Sequence, residues 1–196
     1  ENFLIKNGYD DFGSQQIPTS LRIEAQKIYI EDFKLHVSKF GSKSTYIDKL
    51  PLNLLKAPLI HQLYPNAKYI LALRHPLDTI LSCWMQNFQI NPAMANMLDL
   101  SRIVQFYCVA METFKISKME FNLSVHEIRY EDLINDFQNE AKAVLQFLNL
   151  NWEPELANYQ DTALKRGRIK TPSYTQVIQP LYKDAQYRWK NYKKYL

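Results

Sequence analysis

The clearest pattern of hydrophobic and polar positions runs over residues 68–88, which read KYILALRHPLDTILSCWMQNF. Residues 69–73 are apolar, without Gly or Pro, and predict a short buried strand. Pro76 lacks the N–H that a strand ladder needs and suits the first turn of a helix, with Asp78 at the positive helix end. The pattern therefore predicts a strand, a sharp turn and a helix. Arg74 would lie at the carboxyl end of the strand, where open α/β sheets bind ligands.

The rest of the chain carries weaker patterns of the same two kinds. Stripes at helical spacing and short alternating or apolar runs predict further elements: a helix over 19–39, a strand starting at 46–47, a helix over 54–63, a mostly helical stretch over 89–121, a strand over 125–130 and a helix over 139–148.

Composition limits the class of protein. The chain has 196 residues, 46% hydrophobic and 13% aromatic, which fits one domain and excludes a disordered chain. No apolar run approaches the roughly 20 residues that span a bilayer, so we expect no membrane span. Cys83 and Cys108 lie in apolar helical patterns, which predicts reduced core residues rather than a disulfide or a metal pair. A cytoplasmic location is therefore the expectation.

The net charge of +4 is unevenly distributed. Residues 165–196 contain nine Lys or Arg and a single acid, Asp184, whereas residues 1–164 carry 15 basic and 19 acidic groups. A basic tail is usually a solvated surface. Nucleic acid and a bound nucleotide are the functional alternatives, and the charge alone does not separate them.

Arg74 has an ordinary interpretation and a functional one. It can be a surface arginine paired with Asp78. However, Ser82 lies two helical turns further on, so its hydroxyl can point back toward an anion held by the guanidinium. An arginine fork and a hydroxyl together favour a phosphate site. A strand, Arg-x-Pro-x-Asp and a helix with Ser also resemble the 3′-phosphate-binding segment of sulfotransferases that use 3′-phosphoadenosine 5′-phosphosulfate (PAPS).

Three more blocks resemble the same family, so the resemblance extends from about residue 46 to the end. Residues 48–53, DKLPLN, with a following helix and YPNAK, are similar to bacterial sulfotransferases, including tetratricopeptide-linked ones, and more loosely to protein-tyrosine sulfotransferases. Residues 130–133, YEDL, resemble a segment whose tyrosine contacts the nucleotide, although Glu131 and Asp132 could simply cap a helix. Residues 171–192 resemble the C-terminal segment that folds over the nucleotide.

The resemblance implies an α/β, P-loop-NTPase-like sulfotransferase fold with a parallel sheet flanked by helices. We expect a single domain composed of a helical packing region (1–45), a nucleotide-binding α/β core (46–164) and a basic lid (165–196). The family's 5′-phosphosulfate loop is not found in these residues, and Gly13-Ser14 lacks a preceding strand. We therefore expect that loop to precede Glu1, the fold to be N-terminally incomplete, and the chain alone to be inactive.

The implied reaction moves a sulfuryl group from PAPS to a hydroxyl or amine of a small-molecule or peptide acceptor. It releases adenosine 3′,5′-bisphosphate, and neither a metal nor nucleic acid takes part. The general base would lie outside the chain. The resemblance assigns the following roles: Lys49 stabilises charge on the bridging oxygen, with Ser173 close to it; Arg74 and Ser82 hold the 3′-phosphate; Tyr130 and Arg188 support the nucleotide.

Two other functions remain open at this point. One is a degenerate, non-catalytic nucleotide-binding or scaffold protein of the same fold. The other is a nucleic-acid binder that uses the basic tail. Such a binder predicts salt-dependent affinity for a duplex and leaves Lys49, Arg74 and Ser173 unexplained.

Overall fold

The computed structural model of the chain describes residues 2–10, 12–36, 45–158, 183 and 185–194. Its α-helices are α1 (Asn2–Lys6), α2 (Thr19–His36), α3 (Ala57–Leu63), α4 (Pro76–Trp84), α5 (Leu100–Glu120), α6 (Tyr130–Asn135) and α7 (Phe137–Leu148). The strands are β1 (Lys68–Leu73) and β2 (Ser124–Arg129), and short 3₁₀ helices cover Pro51–Leu54, Met94–Leu98, Pro154–Asn158 and Arg188–Tyr192. Within these ranges, no helix has the length and apolarity that crossing a bilayer requires.

The chain divides into two compact units. The first unit is drawn from residues 1–68 and 109–124, and the second from residues 69–108 and 125–196. Each has its own apolar centre. In the first unit, Leu4, Ile17, Ala25 and Leu59 form a buried cluster. In the second, Ile80, Met97 and Ile103 form another.

In the second unit, β1 and β2 pair as a two-stranded parallel sheet. With the surrounding helices, this sheet agrees with the α/β class. The residues of β1 alternate between exposed and half-buried, so the expectation of a fully buried strand was wrong. The apolar run of β1 is continuous, which suggested burial on both faces. In the described part of the chain, however, other residues pack against one face of the strand only.

The connection from β1 to α4 follows the sequence prediction. β1 ends at Leu73, and α4 begins at Pro76, whose missing N–H costs nothing in a first helical turn. After β2 the chain turns into α6 without a linker, because β2 ends at Arg129 and α6 starts at Tyr130. Both strands of the pair therefore run directly into a helix at their carboxyl ends.

The first unit holds its N-terminal loop against α3 by polar contacts. The side chain of Gln62 accepts the N–H of Ile17 at 2.9 Å and donates to the carbonyl of Gly13 at 2.9 Å. Gly13 has φ +80°, and a Cβ there would lie 2.5 Å from the backbone nitrogen of Leu59. This loop therefore packs main chain against main chain, which a glycine permits.

Two predictions for the middle of the first unit were wrong. Residues 45–50 form no strand, and α3 begins at Ala57 rather than at Leu54. The apolar pair at 46–47 is too short to specify a strand by itself. Pro58 cannot donate to the carbonyl four residues earlier, so a helix does not continue through from residue 54.

The cysteines divide between two environments. Both are free; Cys83 is half-buried and packs against the core of the second unit, whereas Cys108 is exposed. The prediction that Cys108 is a core residue was therefore wrong. Its position in α5 follows an apolar stripe, but that stripe does not face the core at residue 108.

Candidate functional site

The second unit places two of the expected site residues at the carboxyl ends of the paired strands. Arg74 follows β1, and Tyr130 follows β2. The guanidinium carbon of Arg74 lies 5.2 Å from the centre of the Tyr130 ring, within the range of a cation–π contact. Because the strands are parallel and adjacent, their carboxyl ends bring these side chains to one edge of the sheet.

Arg74 also contacts the C-terminal segment, which we define as residues 185–194. Its Nη2 donates a hydrogen bond of 2.6 Å to the carbonyl oxygen of Ala185. The Nε atom of Arg74 is buried and has no hydrogen-bond partner among the described residues. One donor of the guanidinium is therefore bound to the protein, and the buried Nε–H is left without a partner in the described part of the chain.

Asp78, in the first turn of α4, also binds the C-terminal segment. Its side chain is 1% exposed, and its Oδ1 accepts the backbone N–H of Trp189 at 2.8 Å. The ordinary interpretation of Arg74 as a partner of Asp78 was wrong, because no ion pair joins them in the described part of the chain. The two residues instead bind main-chain groups of residues 185 and 189.

His75 completes this docking through its ring and its backbone. The imidazole stacks on the indole of Trp189 with centroids 5.1 Å apart and planes 18° apart, and it meets the edge of Tyr187 at 5.8 Å. The His75 N–H donates to Oε1 of Glu131 at 2.8 Å. Glu131 is 6% exposed, so this is a buried link between the ends of β1 and β2.

That contact changes the interpretation of Glu131. The sequence favoured a capping role at the start of its own helix, but α6 has no side-chain cap. Glu131 instead accepts a hydrogen bond from the N–H of His75, the residue that precedes α4. Its carboxylate therefore supports the neighbouring turn rather than its own helix.

A pocket of about 60 Å³ opens beside this turn. The polar lining comes from Arg74, Asp78, Ser82, Arg188 and the Ala185 backbone, and Leu81 and Met85 supply the apolar part. Two guanidinium groups and one carboxylate leave one net positive charge on the lining, which suits a small anionic group.

The thiol nearest to this charge is not activated. Burial raises the pKa of Cys83, and the positive charge of Arg74 offsets only part of that effect. A thiol with a raised pKa stays protonated near neutral pH and is a poor nucleophile. The electrostatics of the turn therefore favour anion binding over covalent chemistry at Cys83.

The expected site residues thus fall into three groups. Arg74, Ser82 and Arg188 line one pocket, and Tyr130 contacts Arg74. Lys49 is exposed and belongs to the first unit, in the segment 45–50. Ser173 lies outside the described residues.

Sequence reasoning missed the groups that fix the pocket wall. Asp78 was assigned to the helix end, and its true partner is 111 residues away. Ala185 contributes a carbonyl oxygen, for which the sequence carries no signal. The sequence marked this part of the segment through the resemblance of residues 171–192 to the family's C-terminal segment. In the ranges that the structure describes, no group of three or more His, Cys, Asp or Glu could hold a metal ion.

Comparison with known proteins shows which family the chain belongs to. Residues 13–154 match the model of the sulfotransferase family. An uncharacterized protein of Aquifex aeolicus is 30% identical over 162 residues, covering 82% of this chain and 21% of that protein. Protein-tyrosine sulfotransferase 1 of Danio rerio is 23% identical over 158 residues, covering 78% of this chain and 44% of that protein.

A third relative extends the same comparison. Protein-tyrosine sulfotransferase A of Caenorhabditis elegans is 24% identical over 149 residues, covering 72% of this chain and 38% of that protein. The chain thus spans less than half the length of each of these relatives. Because the family model covers most of the chain and includes β1, the following turn and β2, the chain belongs to the sulfotransferase family.

Proposed function

We propose that the chain binds PAPS and takes part in sulfuryl transfer to a hydroxyl or amine, with release of adenosine 3′,5′-bisphosphate. The pocket at the β1–α4 turn would hold the 3′-phosphate. The observation that carries this proposal is the lining of one small pocket by Arg74, Arg188 and Ser82. Family membership supports the reaction class.

The donors of Arg74 fit a phosphate group. A guanidinium has five N–H groups, and Nη2 uses one of them on Ala185. The buried Nε–H is unpartnered among the described residues, and leaving such a donor unsatisfied costs about 1–3 kcal/mol. A phosphate oxygen would satisfy it through a charge-assisted hydrogen bond. Ser82 would add a second, neutral donor.

Asp78 does not cancel this attraction. Its Oδ1 is bound to the Trp189 N–H, and two arginines outnumber it on the pocket lining. The carboxylate costs some anion affinity but fixes the segment that carries Arg188. A phosphate thus meets a lining with one net positive charge and a defined shape.

The catalytic part of the proposal concerns residues beyond this pocket. The acceptor oxygen or nitrogen forms a bond to sulfur, the bond from sulfur to the bridging oxygen breaks, and a base takes the acceptor proton. Lys49 stabilises the negative charge that develops on the bridging oxygen, and Ser173 hydrogen-bonds near it. Tyr130 and Arg188 orient the nucleotide, so that the protein contributes mainly position and charge.

The wider organisation is proposed on the same basis. A P-loop-like phosphosulfate site and the division into residues 1–45, 46–164 and 165–196 remain predictions from the family resemblance. For the acceptor, the names of the protein-tyrosine sulfotransferases suggest a tyrosine hydroxyl in a peptide as one candidate to test. Small-molecule hydroxyls and amines are the others.

The test compares two nucleotides that differ by the 3′-phosphate. Arg74→Ala should weaken binding of adenosine 3′,5′-bisphosphate by roughly one to two orders of magnitude, because a hydrogen bond to a charged group contributes about 1.5–3 kcal/mol. Ser82→Ala should weaken it less. Adenosine 5′-phosphate, which lacks the group being read, should bind the wild type and both variants almost equally. Isothermal titration calorimetry at one fixed salt concentration measures all of these affinities.

A matched control separates the pocket from general charge. Arg102 is an exposed arginine of α5 that does not line the pocket, so Arg102→Ala should leave both affinities unchanged. Equal losses for the two nucleotides in Arg74→Ala would remove the 3′-phosphate assignment. Because the chain alone is expected to be inactive, turnover separates the alternatives only in a longer protein that contains the phosphosulfate loop: nucleotide binding there without any PAPS turnover would favour the non-catalytic alternative.

A further inference from the structure

The segment that carries Lys49 is exposed, yet it is tied to helix α2 within the first unit. The hydroxyl of Tyr29 donates a hydrogen bond of 2.8 Å to Oδ2 of Asp48, the residue next to Lys49. Residues 45–50 form neither helix nor strand, so no regular hydrogen-bond pattern holds them in place. Side-chain contacts therefore have to restrain this segment.

Aromatic packing supports that contact. Phe33 lies one helical turn from Tyr29 on α2, with ring centroids 5.9 Å apart, and Tyr46 meets Phe33 edge-on at 5.4 Å. The Tyr64 ring also contacts the Tyr29 ring, with centroids 5.8 Å apart. The same face of α2 thus holds the segment at residue 46 through a ring and at residue 48 through a hydrogen bond.

The other end of the segment is restrained by the following 3₁₀ helix. Pro51 begins that helix, and the carbonyl of Leu50 accepts the N–H of Asn53 at 3.0 Å. Lys49 therefore lies between two anchors, Asp48 on α2 and Leu50 on the 3₁₀ helix. Fixing the backbone on both sides limits the directions in which the lysine side chain can project.

The Tyr29 hydroxyl stays protonated, and so remains a hydrogen-bond donor, at physiological pH. Burial raises the pKa of its phenol, and the hydrogen bond to Asp48 raises it further. The phenol is therefore neutral near pH 7 and can donate its proton to the carboxylate.

We propose that Tyr29 is a positioning residue for Lys49, acting through Asp48. The inference rests on the proposed function, because it gives a purpose to the placement of the charge on Lys49. A cation that stabilises a transition state must be held to within about half an ångström. Neither Tyr29 nor Asp48 touches the reacting atoms in this scheme.

Tyr64→Phe is the matched control for Tyr29→Phe. Both changes keep the ring in the same aromatic group and remove one hydroxyl. The hydroxyl of Tyr64 is buried without a hydrogen-bond partner among the described residues, whereas that of Tyr29 binds Asp48. Only the Tyr29 change should therefore release the segment.

The first measurement is the backbone order parameter of residues 48–50 by ¹⁵N relaxation of the chain. We expect the wild type and Tyr64→Phe to lie in the rigid range, near about 0.85, and Tyr29→Phe to fall toward about 0.6. Asp48→Asn, which keeps an acceptor oxygen, should lie between them. Unchanged order parameters in Tyr29→Phe would overturn the inference, whether or not the preparation turns over PAPS.

The second measurement is steady-state kinetics with PAPS, in the chain or in a longer protein that contains it. Tyr29→Phe should lower kcat by about five- to tenfold and leave KM for PAPS unchanged, because placement rather than nucleotide binding is lost. Lys49→Ala should lower kcat by about two to three orders of magnitude. Tyr64→Phe should stay within about twofold of the wild type.

A double-mutant cycle then distinguishes positioning from a general structural role. In the Lys49→Ala background, Tyr29→Phe should cause no further loss, since the group it positions is gone. A loss of the same size in both backgrounds would overturn the inference. If Lys49→Ala itself kept kcat, the proposed role of Lys49 would fail, while the order parameters would still report the restraint by Tyr29.

Discussion

At the scale of single residues, several carboxylates in the described part of the chain accept hydrogen bonds from main-chain N–H groups. Asp78 accepts a hydrogen bond from the Trp189 N–H, and Glu131 accepts one from the His75 N–H. Asp10 receives the amides of Phe12, Gly13 and Ser14 in the first unit. Such contacts fix loop geometry, and they depend on the carboxylate being charged.

Asp10 gives a prediction for the acid side of the stability curve. The Asp10 carboxylate accepts hydrogen bonds from the Ser14 hydroxyl and from these backbone amides, and they lower its pKa to about 2. Because the pKa is lower in the folded state, the stabilisation is present above about pH 4 and is lost as the pH falls toward 2. Asp10→Asn should therefore be less stable than the wild type at pH 7, and the difference should shrink between pH 4 and pH 2.

Urea unfolding at a series of pH values measures this difference. The control is Asp132→Asn, which changes an exposed carboxylate in the first turn of α6. Its free energy of unfolding should depend on pH in the same way as that of the wild type. A gap between Asp10→Asn and the wild type that stays constant from pH 7 to pH 2 would contradict the assignment.

At the scale of elements, the turn between β1 and α4 is where the second unit is organised. It receives the C-terminal segment through Arg74 and Asp78, and it is joined to β2 through Glu131. Two of these contacts involve side chains that are at most 6% exposed. Because water does not compete for these buried groups, each hydrogen bond contributes more to stability than a hydrogen bond on the surface.

Asp78 is expected to decide whether the C-terminal segment stays docked. Asp78→Ala removes the acceptor of the Trp189 N–H, a loss of about 1.5–3 kcal/mol for a hydrogen bond to a charged group. The indole should then leave the His75 ring, and its emission should shift to the red. Asp78→Asn keeps an acceptor oxygen and should retain most of the docked emission.

The fluorescence is assigned in a background where Trp84 and Trp152 are Phe, which leaves Trp189 as the sole indole of the 3 in the chain. The control is Asp99→Asn, whose carboxylate binds at the start of α5 rather than in the C-terminal segment. If Asp78→Ala left both the Trp189 emission and its exposure to acrylamide unchanged, this role of Asp78 would be refuted.

The elements that local chemistry specifies were predictable from the sequence. The bounds of β1 and α4 follow from an apolar run and a proline, and β2 follows from the alternation over 125–130. The predicted strand ran one residue too far, because Tyr130 begins α6, a helix that was not predicted separately from the sequence. The strand expected at residues 46–47 was wrong because two apolar residues do not distinguish a strand from a loop that packs a ring on α2.

The site was only partly predictable, for a different physical reason. The pairing of Arg74 with Ser82 followed from the family resemblance, which had put Arg188 with Tyr130 instead; the lining of one pocket by all of Arg74, Ser82 and Arg188 was not predicted. The groups that hold the pocket wall belong to contacts between residues 111 positions apart, and one of them is a main-chain carbonyl. No periodicity or local spacing encodes such pairs.

At the scale of the whole molecule, the basic C-terminus and the anion pocket are different features. The net charge is +4, but the pocket carries one net positive charge, since Arg188 is the described C-terminal cation that lines it. Lys190, for comparison, lies 4.7 Å from the centre of the Tyr187 ring. Affinity for the nucleotide should therefore depend on pocket geometry more than on total charge.

Nucleotide binding should stabilise the folded chain measurably. At a free concentration of 100 times Kd, a ligand that binds only the native state contributes about 2.7 kcal/mol. For a chain of this length the corresponding rise in Tm is roughly 5–10 °C. Adenosine 3′,5′-bisphosphate should produce this rise, and adenosine 5′-phosphate at the same concentration should produce less.

Differential scanning fluorimetry at fixed salt reads the two shifts side by side. Arg74→Ala should bring the rise with the bisphosphate down to that with the monophosphate. Identical shifts for the two nucleotides in the wild type would show that the 3′-phosphate is not read.

The docking of the C-terminal segment has a consequence for how the sequence can drift. Ala185 offers a carbonyl oxygen and Trp189 an N–H, and nearly every amino acid supplies both groups. Homologues could therefore exchange the side chain at position 185 freely and keep the same attachment. Proline at position 189 is the exception, because it has no N–H to give to Asp78. Variability at position 185 in an alignment would consequently say nothing against a role for its backbone.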